Sequence, residues 1–182
     1  MIIRQLRILA ASILAVAGVT SANSSMAQGP TTSIATEYIM SVRANVAAMR
    51  VTDGLSLIEV TSGSVDGPRI KGKLIPPGAD WVRNLPGDIG RLDVRIMIRT
   101  EDDQLIYLAY NGILKCSKEA NTRLASGEKL GADDGCYYML APTFETKSEK
   151  YKWLNEVQTV GKMIEFQRIN DPHVVYDIFA LR

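Results

Sequence analysis

The chain has 182 residues, with 21 Lys and Arg, 20 Asp and Glu, two cysteines and one histidine. Because it has no local run of basic residues, which binding to phosphates requires, nucleic acid is excluded as an expected partner. One histidine and two cysteines do not provide the usual zinc or iron ligands, so neither a metal nor another cofactor is expected.

The first 27 residues have the pattern of a secretory signal peptide. Arg4 and Arg7 form a basic start, an uncharged apolar stretch follows, and Ser25-Met26-Ala27 provides a small-residue cleavage site. The apolar stretch is shorter than the roughly 20 residues that span a bilayer, so cleavage is favoured over a membrane anchor. We therefore expect a periplasmic or secreted protein without an integral membrane segment after signal removal.

The remaining chain has the pattern of an antiparallel β domain. Apolar residues recur with period two in short runs separated by Gly, Pro, Asp and Asn. The predicted strands lie in residues 38–44, 55–60, 69–75, 91–100, 105–114, 137–140, 163–169 and 174–181. About eight strands can close without exposed edges. We predict an all-β fold, a single antiparallel closed β-barrel over 37–182, lipocalin-like in outline, after a flexible leader over 28–36.

One segment of the C-terminal third departs from the strand pattern. Thr146 to Glu149 has the spacing of a capping box, and Tyr151, Leu154 and Val157 then fall on one helical face. We predict one short helix here, which plugs one end of the barrel and leaves the other end as its mouth.

The two cysteines flank a polar stretch, residues 117–135, that separates two strand-like segments. Export would place Cys116 and Cys136 where disulfides persist. A disulfide between them would close the base of a long loop, whereas the alternative is a pair of free buried thiols.

Several short motifs, in order from about Tyr38 to the C-terminus, resemble one family. They are Gly67-Pro68, Gly72, Ile75-Pro76-Pro77-Gly78-Ala79-Asp80-Trp81, Leu92-Asp93-Val94-Arg95, Asn111-Gly112, Phe144-Glu145-Thr146 and Tyr151-Lys152-Trp153-Leu154-Asn155. This set resembles the domain of unknown function 3237, also described as uncharacterised protein family 0311. The resemblance implies a small antiparallel β-barrel with a pocket, but no particular reaction.

The motif around Gly78 supplies the first candidate site residues. The two prolines fix φ and Gly78 permits a conformation closed to other residues, which would present Asp80 and Trp81 in a set orientation. Asp80 would then be a carboxylate at the pocket mouth and Trp81 a stacking surface. Alternatively, Asp80 accepts backbone hydrogen bonds in its own turn and Trp81 caps the core.

Asp93 and Arg95 are two residues apart on a predicted strand and therefore share one face. On the outer face they would be only a surface ion pair. On the inner face Arg95 would be an anion anchor, because its planar fork matches a carboxylate or an enolate. The resemblance favours the inner face, since the family carries an aspartate or similar residue and an arginine here.

Glu145 lies close in sequence to the aromatic residues Tyr137, Tyr138 and Trp153. It could act as a general acid or base, or it could accept hydrogen bonds at the start of the predicted helix. Asn111 could orient a ligand oxygen or satisfy backbone groups.

These residues support three functional hypotheses. The first is an exported barrel that binds a small, partly apolar molecule, aromatic or carbonyl-bearing, with walls and polar contacts from Trp81, Tyr137, Trp153, Asp80, Arg95 and Glu145. The second is a cofactor-independent lyase, isomerase or hydrolase, in which Asp80 or Glu145 moves a proton and Arg95 stabilises an oxyanion. The third is an envelope protein whose barrel is filled by its own side chains.

Overall fold

The computed structural model describes residues 32–182, of which 34–182 form one compact unit. The predicted signal peptide and the first residues of the predicted leader lie outside the described residues. The strands are β1 (Thr36–Thr52), β2 (Leu55–Asp66), β3 (Lys71–Leu85), β4 (Ile89–Thr100), β5 (Leu105–Cys116), β6 (Leu130–Gly131), β7 (Cys136–Glu145), β8 (Thr159–Gln167) and β9 (His173–Leu181). Helix α1 spans Lys118–Ala125 and a 3-10 helix spans Lys152–Glu156. Neither of these described helices is long and apolar enough to cross a membrane.

Eight of the strands form a closed antiparallel barrel. The order around it is β1, β2, β3, β4, β5, β7, β8 and β9, and β9 pairs with both β8 and β1. The short strand β6 pairs with the last part of β8, on the edge that β7 occupies nearer the start of β8. Closure leaves none of the eight long strands as an open edge, so the prediction of a closed barrel is confirmed.

The alternation of side chains along β4 shows which face of the sheet forms the interior of the barrel. Leu92, Val94, Ile96 and Ile98 are all buried and point to the interior. The intervening polar residues lie on the outer face, because successive side chains of a strand point to opposite sides. Burial of each such aliphatic side chain stabilises the fold by about 1.5–3 kcal/mol.

The 3-10 helix plugs one end of the barrel, as predicted. Leu154 and Tyr151 are buried, and the Tyr151 hydroxyl donates to Asp102 Oδ1 in the β4–β5 turn at 2.8 Å. The Arg69 guanidinium lies 3.9 Å from the ring centroid of Trp153. The helix is shorter than the capping-box pattern indicated. The Thr146 hydroxyl does not cap a helix, because it accepts a hydrogen bond from the Ser148 backbone N–H and donates one to Leu105 O.

The polar stretch after β5, predicted as a loop, contains α1 and β6. Ser117 caps the helix, since its hydroxyl accepts a hydrogen bond from the Ala120 backbone N–H at 3.1 Å. Cys116 and Cys136 form the predicted disulfide between directly paired positions of β5 and β7. The whole excursion is therefore closed at its base.

Strand β3 is irregular at the motif that contains Gly78. Its pairing with β4 shifts register between Ile75 and Ala79. Gly78 is not among the described glycines with positive φ, so the expected special conformation is wrong. The residue is needed for space instead, because a Cβ atom there would overlap the Ile96 side chain.

Candidate functional site

A cavity of about 410 Å³ lies inside the barrel at the end opposite the 3-10 helix. Its walls are mainly apolar side chains that point inward from the strands: Ala44, Val46, Ile58, Val60, Val82, Leu92, Leu114, Phe166 and Val174. An outer cavity of about 610 Å³ adjoins it near the β1–β2 and β3–β4 turns. The two cavities share residues such as Val82 and Leu114, so the outer one forms the mouth of the inner one.

Asp80 is the buried carboxyl group of the inner cavity. It points inward from β3, is only 8% exposed, and its Oδ1 accepts a hydrogen bond from the Asp93 backbone N–H at 2.9 Å. Burial raises the pKa of Asp80 to about 7, although the hydrogen bond from Asp93 opposes the shift. Among the Lys, Arg and His side chains that the structure describes in residues 32–49 and 51–182, none forms an ion pair with Asp80.

Three buried or half-buried tyrosines line the same cavity. Tyr110, Tyr138 and Tyr176 come from β5, β7 and β9, and the Tyr176 hydroxyl donates to the Tyr138 hydroxyl at 2.7 Å. The ring centroids of Tyr138 and Tyr176 are 5.4 Å apart in an edge-to-face arrangement. Burial raises the pKa of all three phenols, and the charge of Asp80 raises it further. They are therefore neutral hydrogen-bonding groups near a carboxyl group that titrates close to neutrality.

Arg168 lines both the inner and the outer cavity. It follows β8, and its Nη2 donates to Asn121 Oδ1 on α1 at 3.1 Å. Its guanidinium lies 5.7 Å from the ring centroid of Phe166, which packs edge-to-face on Tyr138. No group of three or more His, Cys, Asp or Glu within the described residues is placed to share a metal ion.

Comparison with known proteins places this barrel in a family. The family model described as a protein of unknown function, DUF3237, matches residues 34–181. The chain belongs to the DUF3237 family. A UPF0311 protein of Clostridium acetobutylicum is 39% identical over 99 residues, which cover 54% of this chain and 61% of that protein.

Solved structures share the same fold. The crystal structure of a conserved protein of unknown function from Rhodopseudomonas palustris matches with a TM-score of 0.72 and 25% identity, covering 84% of this chain and 100% of that one. A β-barrel-like protein from Acinetobacter baumannii matches with a TM-score of 0.67 and 28% identity, covering 85% and 100% of the two chains.

Of the predicted site residues, only Asp80 lines the cavity of this DUF3237 barrel. Trp81 is the next residue of β3, points outward and is 44% exposed. Tyr137 is 59% exposed on the outer face of β7, and Trp153 lies on the plug at the far end. The expectation that these three aromatic residues form the pocket walls is therefore wrong.

The ion pair predicted on β4 lies on the outer face of the barrel. Arg95 Nη1 donates to Asp93 Oδ1 at 2.6 Å, and the side chains are 59% and 38% exposed. The expectation that they face the interior is wrong, because Leu92 and Val94 occupy the inward positions. Such an exposed pair contributes little to stability.

Glu145 and Asn111 also lie outside the cavity. Glu145 is exposed at the end of β7 beside a shallow depression that Thr146 and Asn155 help to form. Asn111 is exposed on β5, and its Nδ2 donates to Leu92 O at 3.2 Å. Asn111 therefore satisfies a backbone group, which was the alternative for this residue.

Three of the cavity residues that were not predicted as site residues are Tyr110, Tyr138 and Arg168. The alternation of apolar residues could have identified only two of these three. Tyr138 is in phase with Leu140, and Tyr110 is in phase with Leu108, so the period of two assigns both tyrosines to the interior. Tyr137 is out of that phase. For Arg168, no local pattern indicates a role, because its position depends on how the β8–β9 turn meets α1.

Proposed function

We propose that this barrel binds a small, largely apolar molecule that carries one or more hydroxyl or carbonyl oxygens. The observation that carries the proposal is the inner cavity, whose volume of about 410 Å³ is typical of small-molecule sites. Its walls are mainly apolar, and one carboxyl group from β3 and phenol groups from β5, β7 and β9 also line it. A cavity of this size does not fit a barrel filled by its own side chains.

The polar groups of the cavity can bind a ligand hydroxyl that donates a hydrogen bond and a ligand carbonyl oxygen that accepts one. Ionised Asp80 would accept from a ligand hydroxyl, and a tyrosine hydroxyl or protonated Asp80 would donate to a carbonyl oxygen. Apolar walls would bind the remainder of the molecule, since burial contributes about 25 cal/mol per Å² of apolar surface. An aromatic molecule would also pack against the ring edges of Tyr138 and Phe166.

Two neighbouring alanines of β1 provide a matched test. Ala48 lines the cavity, whereas Ala47 pairs with Glu59 and does not line it, and both alanines are exposed. N-phenyl-1-naphthylamine, a neutral fluorescent probe, should bind the wild-type barrel and the Ala47→Trp variant with similar affinity. Ala48→Trp should weaken probe binding at least tenfold because the indole enters the cavity mouth. Equal affinity in the two variants would contradict binding in the cavity.

A second candidate function is cofactor-independent proton transfer, favoured by the buried Asp80 with a pKa of about 7. A general base acts best when its pKa lies near the working pH. Asp80 would remove a proton next to a ligand carbonyl, and a tyrosine hydroxyl would donate a hydrogen bond to the resulting enolate oxygen. The proton would return to the enolate carbon in the product. Asp80 would then be the proton-transfer residue, as the sequence predicted, whereas Arg95 and Glu145 would have no part in the reaction.

Deuterium exchange tests this candidate without knowledge of the natural substrate. In D₂O, 2-acetylnaphthalene should gain deuterium in its methyl group faster with the wild-type protein than in buffer, as measured by NMR. Asp80→Asn should remove most of this excess, a loss of about 100-fold, because general bases contribute about 10²–10⁴-fold. Ala47→Trp is the control. Exchange that the Asp80 variant leaves unchanged would contradict this role.

We also propose that the protein is exported, and that its signal peptide ends at Ala27. The support is the basic, apolar and small-residue pattern of residues 1–27, together with the disulfide between Cys116 and Cys136. Intact mass measurement of the periplasmic protein should give a chain that begins at Gln28. An uncleaved cytoplasmic chain would contradict export.

A further inference from the structure

A single cationic side chain stands where the two cavities meet. The inner and outer cavities share Ser56, Val82, Asn84, Leu114 and Arg168. In the described part of the chain, Arg168 is the one Lys or Arg that lines either cavity. A molecule that spans the two cavities therefore lies beside Arg168.

The Arg168 guanidinium is held in place but is not neutralised. Within residues 32–182, no carboxylate oxygen lies within 4.0 Å of it, and it donates a hydrogen bond to Asn121 Oδ1. Asn121 is itself positioned, because its Nδ2 donates to Cys116 O at 3.4 Å beside the disulfide. An arginine side chain has five N–H donors, so most of them remain for a ligand.

The acidic residues near the mouth limit how much negative charge a ligand can carry. Asp88 lines only the outer cavity, and Asp80 lines the inner one. Carboxylates on both sides of Arg168 would repel a second or third negative group. A single anionic group at the junction is attracted by the Arg168 guanidinium, whereas further negative groups on the same ligand are repelled by these carboxylates.

We infer that Arg168 is an anion-binding subsite, and that the ligand is an amphipathic monoanion with its apolar body in the inner cavity and one carboxylate or sulfonate at the junction. This inference rests on the proposed function. The planar guanidinium can bind both oxygens of such a group at once, which a lysine ammonium does not do. The ligand oxygens considered above then lie at the opposite end of the molecule, near Asp80.

Two probes that differ by one sulfonate test the subsite. They are the neutral N-phenyl-1-naphthylamine and the anionic 1-anilinonaphthalene-8-sulfonate. We expect Arg168→Gln to raise the Kd of the anionic probe about tenfold or more and that of the neutral probe less than twofold. Arg168→Lys should recover part of the lost affinity, which shows that the fold is intact. Arg91→Gln, on the exposed outer face of β4, is the control and should change neither Kd.

The possible results separate the subsite from the cavity proposal. An unchanged Kd for the anionic probe in Arg168→Gln would overturn the inference, and so would an equal loss for both probes, because Arg168 would then only support the cavity wall. If neither probe binds the wild-type protein, the proposed cavity function fails and the inference fails with it. Added salt should weaken binding of the anionic probe to the wild-type protein more than binding to Arg168→Gln.

Discussion

Replacing Asp80 with asparagine should stabilise the folded protein at neutral and alkaline pH but not at pH 4. Asparagine keeps an oxygen that can accept the hydrogen bond from the Asp93 backbone, now 2.9 Å from Asp80 Oδ1. The folded pKa of Asp80 is about 7, against an ordinary value of 3.8, and the side chain is only 8% exposed. The folded protein thus binds the proton more tightly than the unfolded chain does. Its free energy of unfolding falls as pH rises from about 4 to about 7, and this contribution is constant above that.

The magnitude follows from about 1.4 kcal/mol for each pH unit in that window. The advantage of Asp80→Asn over the wild type should grow from near zero at pH 4 to about 4 kcal/mol above pH 7. Urea unfolding at several values of pH, with the disulfide intact, measures it. Glu59→Gln, an exposed position of the neighbouring β2, is the control and should show no such growth. A difference that is independent of pH, or a variant less stable than the wild type at pH 8, would refute the reasoning.

Three further predictions concern the disulfide, the irregular part of β3 at Gly78 and the outer face of the barrel. Replacing Cys116 and Cys136 with serine should lower the free energy of unfolding by about 3 kcal/mol, because the bridge closes a loop with a sequence separation of 20 residues; a loss below about 1 kcal/mol in urea unfolding would contradict this. Gly78→Ala should lower the free energy of unfolding by about 1–3 kcal/mol, because the added methyl group overlaps Ile96. The double variant with Ile96→Val should lose less stability than the sum of the two single variants, and additive losses in urea unfolding would refute the contact. Trp81→Ala should leave the Kd of N-phenyl-1-naphthylamine unchanged in a fluorescence titration, since this side chain points outward, and a tenfold loss would show that it reaches the cavity.

The sequence allowed the fold to be predicted because a barrel is built from local alternation. The run from Leu92 to Ile98 shows this most clearly, since every second residue is apolar and buried. Helix α1 was missed because its segment is short and polar. It buries only Ala120 and Leu124, so it carries a weak periodic signal, and Ser117 fixes its start through a single cap.

The site was harder to predict because it depends on phase and on contacts between distant segments. The β3 motif directed attention correctly to Asp80, but it also favoured Trp81, which the same alternation sends outward. Tyr138 and Tyr176, 38 residues apart in sequence, meet only because closure of the barrel places β7 and β9 on either side of β8. Resemblance to the family favoured the inner face for Asp93 and Arg95, whereas the alternation of buried Leu92 and Val94 assigns these two residues to the outer face.

The chemistry at position 80 separates simple binding from proton transfer. A barrel that needed only an acceptor for the Asp93 N–H, or a polar contact for a ligand, would be served by asparagine without any cost at alkaline pH. Aspartate provides one property that asparagine lacks, a proton that is gained and lost near pH 7. A residue that breaks the apolar rule of the interior at a cost in stability is typical of a functional site. If Asp80→Asn becomes more stable, still binds N-phenyl-1-naphthylamine and no longer exchanges the methyl protons of 2-acetylnaphthalene, the carboxyl group serves proton transfer; if exchange persists in the variant, Asp80 is not the base and its role in proton transfer is rejected.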